Sequence, residues 1–183
     1  MAKQKGKKKW FLITAPKEFK GIILGETLAY EGNELIGRNL VVSLMNLTGD
    51  PKKQNMEISL KITGVDGTTA RTESFGYALM KSYLKRLSRK ESRKIDESYK
   101  LELKNKDKVV IKPVLITKGK TPNSVISVLR KKTFDFLKDY FSKTDFNHAL
   151  ISITNNQVQR DLQNNLKKTY PVVVCQFRIF KKI

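Results

Sequence analysis

Apolar and polar residues alternate most clearly at Met56, Ile58, Leu60 and Ile62, which are interleaved with Glu57, Ser59 and Lys61. A period of two sends the two sets to opposite faces of one strand. Asp66-Gly67 then supplies a tight reversal into a second strand over 68–75. Upstream, 21–30 and 35–47 also read as strands. The latter is apolar on both faces, Leu40, Val42 and Leu44 against Val41, Met45 and Leu47, which predicts a central position. Trp10, Phe11, Ile13 and Phe19 surround Ala15-Pro16; the proline breaks any helix and predicts an extended segment laid over the body.

Beyond Gly76 the period lengthens. Leu79, Met80, Tyr83, Leu84 and Leu87 form one stripe of a helix predicted over 77–90, with Lys81, Lys85, Arg86 and Arg89 opposite. A second hairpin follows: Tyr99, Leu101 and Leu103 alternate with lysines and a glutamate, 105–107 turn, and an apolar run returns over 109–116. Pro113 in that run implies an edge or a bulge. Thr121-Pro122 opens a helix carrying Val125, Ile126, Leu129, Phe136, Leu137 and Tyr140 on one face, and 145–153 reads as a short helix. Asn155 is placed to cap a helix with Val158, Leu162 and Leu166, and 172–180 reads as a last strand. Hairpins interrupted irregularly by helices predict an α+β fold, a mainly antiparallel sheet or small β-barrel with helices packed outside. Residues 1–9 hold five lysines and no large apolar side chain after Met1, so they are expected to be a flexible basic tail on a single domain, 10–183.

Charge turns this scaffold into a functional expectation. The chain has 183 residues, 37 Lys or Arg against 17 Asp or Glu, and a formal net charge of +20, which calls for a polyanionic partner. No stretch approaches the roughly 20 apolar residues of a membrane span, and no apolar run follows the N-terminal lysines as in a secretory signal. Cys175 and His148 are the sole residues of their types, so neither an intramolecular disulfide nor an ordinary zinc cluster can form. A reducing, cytoplasmic setting and no membrane partner are expected.

Chemistry has little to stand on. His148 sits in an unremarkable segment and reads as structural, and Cys175 shares a strand face with Val173, Phe177 and Ile179, as a small buried apolar residue would. Asp135 and Asp139 lie one helical turn apart but stand among Lys131, Lys132 and Lys138. Gly21, Gly25 and Gly32 fit no phosphate-loop spacing. No cofactor, metal or enzymatic activity is called for. The basic residues, in contrast, are concentrated in three places: the tail with Lys3, Lys5, Lys7, Lys8 and Lys9; the span 81–94, where Lys81, Lys85, Arg86, Arg89, Lys90, Arg93 and Lys94 face one acid; and 118–132, with Lys118, Lys120, Arg130 and Lys131. Arginine suits positioned, bidentate phosphate contacts, whereas tail lysines bind without strict geometry. Trp10 and Phe11 either stack on bases or anchor the core. No helix-turn-helix, zinc-finger or RNP-type motif is present, so recognition of RNA shape and backbone is expected.

Several stretches carry a resemblance: KKWFLITAPKEF at 8–19, GETL at 25–28, LIGRNLVVSLMNL at 35–47 followed by Thr48-Gly49-Asp50, VDGTTARTE at 65–73, then 94–96 and Tyr170-Pro171. In their order and spacing the chain resembles the small-subunit ribosomal protein family of archaea and eukaryotes called S-three-a, nearly end to end. The resemblance implies a structural constituent of the small subunit that binds ribosomal RNA on the platform, near the 3′ end of that RNA and the mRNA exit. It implies a β-barrel-like core, and as partners small-subunit ribosomal RNA, neighbouring small-subunit proteins and mRNA near the exit. By matching position it implies contacts through the tail with Trp10, through Arg38 and Arg71, and through the basic helix after Gly76. The stretch 118–130 is less charged here than in relatives, and the chain stops at Ile183 without the long tail of eukaryotic members, which favours an archaeal type. The competing readings are a transient translation or RNA-processing factor and an RNA-modifying enzyme or nuclease with an acidic site assembled by folding.

Overall fold

A computed structural model describes residues 7–87 and 92–183, and the chain divides into two compact units, Met1–Phe75 and Gly76–Ile183. The candidate contacts Lys3, Lys5, Arg89 and Lys90 lie outside the described residues.

In the first unit, strand β1 (Lys9–Thr14) pairs antiparallel with β2 (Ile23–Ala29). Strand β3 (Asn39–Ser43) pairs with β4 (Met56–Asp66), which forms the expected hairpin with β5 (Thr69–Leu79) around Gly67, at φ +58°. A left-handed residue there costs glycine nothing. β1 also runs parallel to the start of β5, Leu12 beside Thr69 through Thr14 beside Arg71. The strand order is therefore β3, β4, β5, β1, β2, with no ladder between the two outer strands. The sheet is open and mostly antiparallel, in place of the barrel-like core that the resemblance implied. The segment expected to lie over the body is itself a sheet strand, because Phe11 and Ile13 point into a core shared with Ala29, Leu35, Ile62 and Ala70.

The run 35–47 is not one central strand. Gly37, at φ +89°, precedes β3, and Leu44–Thr48 forms a short helix, α1. Leu44 and Leu47 are spaced for one helical face and are both buried, so the three-residue spacing prevails over the two-residue one. β3 is left at the sheet edge, with Val41 60% exposed.

In the second unit the last residues of β5 pair with β9 (Val172–Lys182), Gly76 beside Lys181 through Ala78 beside Ile179. A helix from Tyr77 is thus corrected to a strand: Tyr77 and Leu79, two apart, are both buried. A Cβ on Gly76 would meet Lys181 Cβ at 2.9 Å and the Phe180 carbonyl oxygen at 3.0 Å, so glycine permits the close approach. Helix α2 begins only at Lys81 (Lys81–Leu87). β8 (Lys108–Thr117) lies between β9 and two short strands, β7 (Tyr99–Glu102) along Lys108 to Ile111 and β6 (Lys94–Asp96) along Val114 to Ile116. Pro113 falls where one short strand hands over to the other and where the β9 register shifts, so its missing N–H interrupts neither short ladder.

That shift, between Lys112 and Pro113, makes Arg178 the extra residue of a bulge, and a second, between Ile116 and Thr117, does the same for Val173. Buried positions on β9 accordingly change parity, from Cys175 and Phe177 to Phe180, while Val173 is 56% exposed. Cys175 therefore does not share its face with Val173 and Ile179 as strict alternation predicts. Helices α3 (Asn123–Ser142), α4 (Phe146–Thr154) and α5 (Gln157–Lys167) pack by Ile126, Leu129, Leu137, Phe141, Leu150 and Ile153, with Val158, Leu162 and Leu166 of α5 wholly buried at helical spacing. The residue before α5 is Asn156, in the left-handed region at φ 57° and with no side-chain cap bond, so Asn155 is not the cap. Phe180 stacks between Phe141 and Phe146, with ring centres 5.5 and 5.1 Å away.

Phe180→Ala should cost about 3–5 kcal/mol through the cavity between those rings, read as a lower urea midpoint, whereas Val173→Ala at the exposed bulge should stay within about 0.5 kcal/mol. Burial pushes the Cys175 thiol up from about 9 to about 12. A raised folded-state value means that the neutral thiol stabilises the fold fully below the ordinary thiol range and progressively less as pH rises from about 9 towards about 12. Native protein at neutral pH should resist a thiol reagent that labels the urea-unfolded chain, and Cys175→Ala should flatten the alkaline loss of stability.

Candidate nucleic-acid interface

Alternation along β1 decides between the two readings of its aromatic pair. Phe11 turns inward and is 5% exposed, an anchor of the core, whereas Trp10 turns outward and is 60% exposed. Lys7, Lys8 and Lys9 are exposed beside it. Trp10 lies opposite Leu28 on β2, itself partly exposed, and the Lys8 ammonium stands 5.3 Å from the centre of the Tyr30 ring, a cation–π distance. Arg38 reaches the same end of β2: its Nη1 donates to Thr27 Oγ1 at 3.3 Å and its Nε to the Glu34 carbonyl at 3.2 Å. Arg38 thus braces the chain ahead of β3 against β2, with guanidinium donors to spare. Arg71 lies at the other end of β1, beside Thr14, and is ion-paired with Asp66 across the hairpin turn.

In the second unit, α2 presents Lys81, Lys85 and Arg86 to solvent, the Arg86 guanidinium 6.0 Å from the Tyr83 ring centre. The second and third basic stretches then meet through Thr117, a wholly buried residue. Its hydroxyl accepts from the Arg93 N–H at 3.2 Å and donates to the Gly119 carbonyl at 2.8 Å. Thr121 Oγ1 lies 3.0 Å from the same hydroxyl. The Lys118 N–H donates to the Pro171 carbonyl at 3.1 Å, and the Tyr170 hydroxyl to the Lys120 carbonyl at 3.4 Å. Backbone held at this many points fixes the loop, so Arg93, Lys118 and Lys120, all exposed, stand around one pinned turn. Sequence reading missed Thr117; the available signal was a threonine closing the apolar run immediately before Lys-Gly-Lys.

The other candidates in this unit are partly committed. Lys94 and Arg178 share Asp96, at 3.3 and 3.2 Å. Arg130 pairs with Glu97 at 2.5 Å, and its carbonyl accepts from the Tyr99 hydroxyl, so α3 is tied to the β6–β7 connection by a residue expected to face RNA. Among the described residues no carboxylate forms an ion pair with Lys81, Lys85, Arg93, Lys118, Lys120 or Lys131. Asp135 and Asp139 line an open groove with Lys132, Phe136, Tyr140 and Lys143, and Lys132 donates to Thr169 Oγ1 at 2.7 Å. His148 is exposed on α4. Among the described residues no three His, Cys, Asp or Glu side chains are grouped as metal ligands, and no helix is long and apolar enough to cross a membrane.

A sequence model of the Ribosomal S3Ae family matches residues 3–182. The chain is 31% identical to the small ribosomal subunit protein eS1 of Nanoarchaeum equitans over 95% of its own length and 88% of the relative's. It is 30% identical to the protein of the same name from Sulfurisphaera tokodaii, over 90% and 86%, and 28% identical to that from Halorubrum lacusprofundi, over 94% and 80%. A match that begins in the lysine tail and ends in β9 leaves no part of the fold unaccounted for: the chain belongs to the Ribosomal S3Ae family.

Proposed function

We propose that this protein is a non-catalytic structural constituent of the small ribosomal subunit that binds ribosomal RNA and works in the cytoplasm within that particle, beside neighbouring ribosomal proteins. The observation that carries the reading is the family match across 3–182, to which the relatives named for the small subunit correspond over most of their length. The finer reading places the protein on the platform, near the 3′ end of the RNA and the mRNA exit, with mRNA as a passing partner.

The RNA-facing residues in this reading are the tail lysines with Trp10, Arg38, Arg71, and the 81–94 and 118–131 basic groups. What supports the Arg93, Lys118 and Lys120 group most is its rigidity combined with unneutralised charge: the loop is bonded in place before any phosphate arrives, so little ordering entropy opposes contact. Arg71 and Arg130 carry a partner carboxylate each. A phosphate must compete with that carboxylate, and their contribution is correspondingly smaller.

The protein should sediment with small subunits in moderate salt and leave them in high salt; a purely free cytosolic pool, or a copy number far below that of the particle, would contradict a structural role. With about eight phosphates neutralised, log affinity for structured RNA should fall against log salt with a slope of roughly −6 to −7. Replacing Arg93, Lys118 and Lys120 together by alanine should reduce the magnitude of that slope by about 0.7–0.9 per residue, while Arg130→Ala should change it clearly less. Equal effects from all four positions would show that pinning and pairing do not matter.

A further inference from the structure

We infer that the outer face of the β1–β2 ribbon is a stacking ledge for an unpaired RNA base, with Trp10 as its platform. The inference rests on the RNA-binding reading and adds a class of ligand to it: a single-stranded or extruded nucleotide, beyond the shape and backbone of a duplex.

Residues opposite one another in an antiparallel pair share a face, and so do residues two apart along a strand. Lys8, Trp10, Leu28 and Tyr30 are therefore neighbours on one face, opposite to the one that buries Phe11, Ile13 and Ala29. An indole 60% exposed beside a leucine 40% exposed is a flat apolar surface left to water within a folded sheet. Its surroundings select the occupant. Lys8 stands at one end of this face, with Lys7 and Lys9 next to it along the chain, and covering the indole with an apolar protein surface would strip water from the Lys8 ammonium without replacing it. A nucleotide satisfies both demands, its base on the ring and its phosphate on the lysines.

At the other end of the face Leu12 is opposite Glu26, an exposed carboxylate that repels phosphate. The ledge is thus polarised, and the sugar-phosphate strand is directed to the Lys8 end. A base within a duplex has both faces covered by its stacked neighbours, so an indole can reach only an unpaired one.

The chain's single tryptophan makes the test direct, since all indole emission comes from Trp10. The full-length protein is titrated with unstructured oligoadenylate and, separately, with a fully paired RNA hairpin of equal phosphate count, while anisotropy of the labelled RNA reports binding in parallel. Oligoadenylate should quench Trp10 and shield it from acrylamide; the hairpin should bind with little change in emission. Trp10→Ala should weaken oligoadenylate binding about tenfold without altering the salt slope, because stacking releases no counterions, and Trp10→Phe should restore most of the loss. Binding of oligoadenylate with unchanged emission, or a Trp10→Ala variant that binds as well as the parent, overturns the ledge but leaves RNA binding intact. Absence of binding to either RNA overturns both readings, and shielding of Trp10 by another small-subunit protein alone assigns the face to protein docking instead.

Discussion

Much of the second unit depends on the ladder between β8 and β9 and on the two places where it slips. Eleven residues of β9, Val172 to Lys182, run along nine of β8, Val109 to Thr117, so the sheet cannot keep a uniform alternation over the full length. The slip at Pro113 moves the buried side of β9 from Phe177 to Phe180, which brings a ring between Phe141 and Phe146 and so seats the helices. It also pushes Arg178 out to meet Asp96. The slip at Thr117 buries a hydroxyl at the end of the strand, and a buried hydroxyl must find partners. Those partners are the backbone groups of Arg93 and Gly119, and the basic loop is fixed as a result. Packing and the proposed RNA contact thus descend from the same irregularities.

Electrostatics divides the cations into two kinds. Surface ion pairs such as Arg71 with Asp66 add little stability, since solvent screens them. Their larger effect is local: each removes a unit of positive potential from its surroundings. Among the cations outside these ion pairs are Lys7, Lys8 and Lys9 at the start of β1, Lys81 and Lys85 on α2, and Arg93, Lys118 and Lys120 at the Thr117 turn. Repulsion within such a molecule is relieved when phosphates arrive, so binding and stability are linked.

The clearest elements in the sequence were those with one unambiguous period. The β4–β5 hairpin, α5 with Val158, Leu162 and Leu166, and β9 were all legible. Where two periods coexist, local reading failed: Leu40 to Leu47 satisfies both spacings, and Tyr77 and Leu79 belong equally to a strand and to the stripe of a helix. Only pairing partners distant in the chain resolve such cases, and β9 is nearly a hundred residues from Gly76. Bulges are invisible for the same reason, because they are a property of two strands. For the candidate site, composition revealed the charge, and alternation would have exposed Trp10 and buried Phe11. Neither the meeting of Arg93 with Lys118 nor the capture of Arg130 by Glu97 leaves a local trace.

The position of β9 carries a consequence for how the molecule is made. This strand lies between β5 and β8, yet it is synthesised after both of them and after every helix. Until it emerges, β8 lacks its longest partner, Gly76 to Ala78 lack their β9 neighbours, and the phenylalanines of α3 and α4 lack the Phe180 ring. The unit therefore cannot complete its core until β9 emerges and is threaded between two strands made before it.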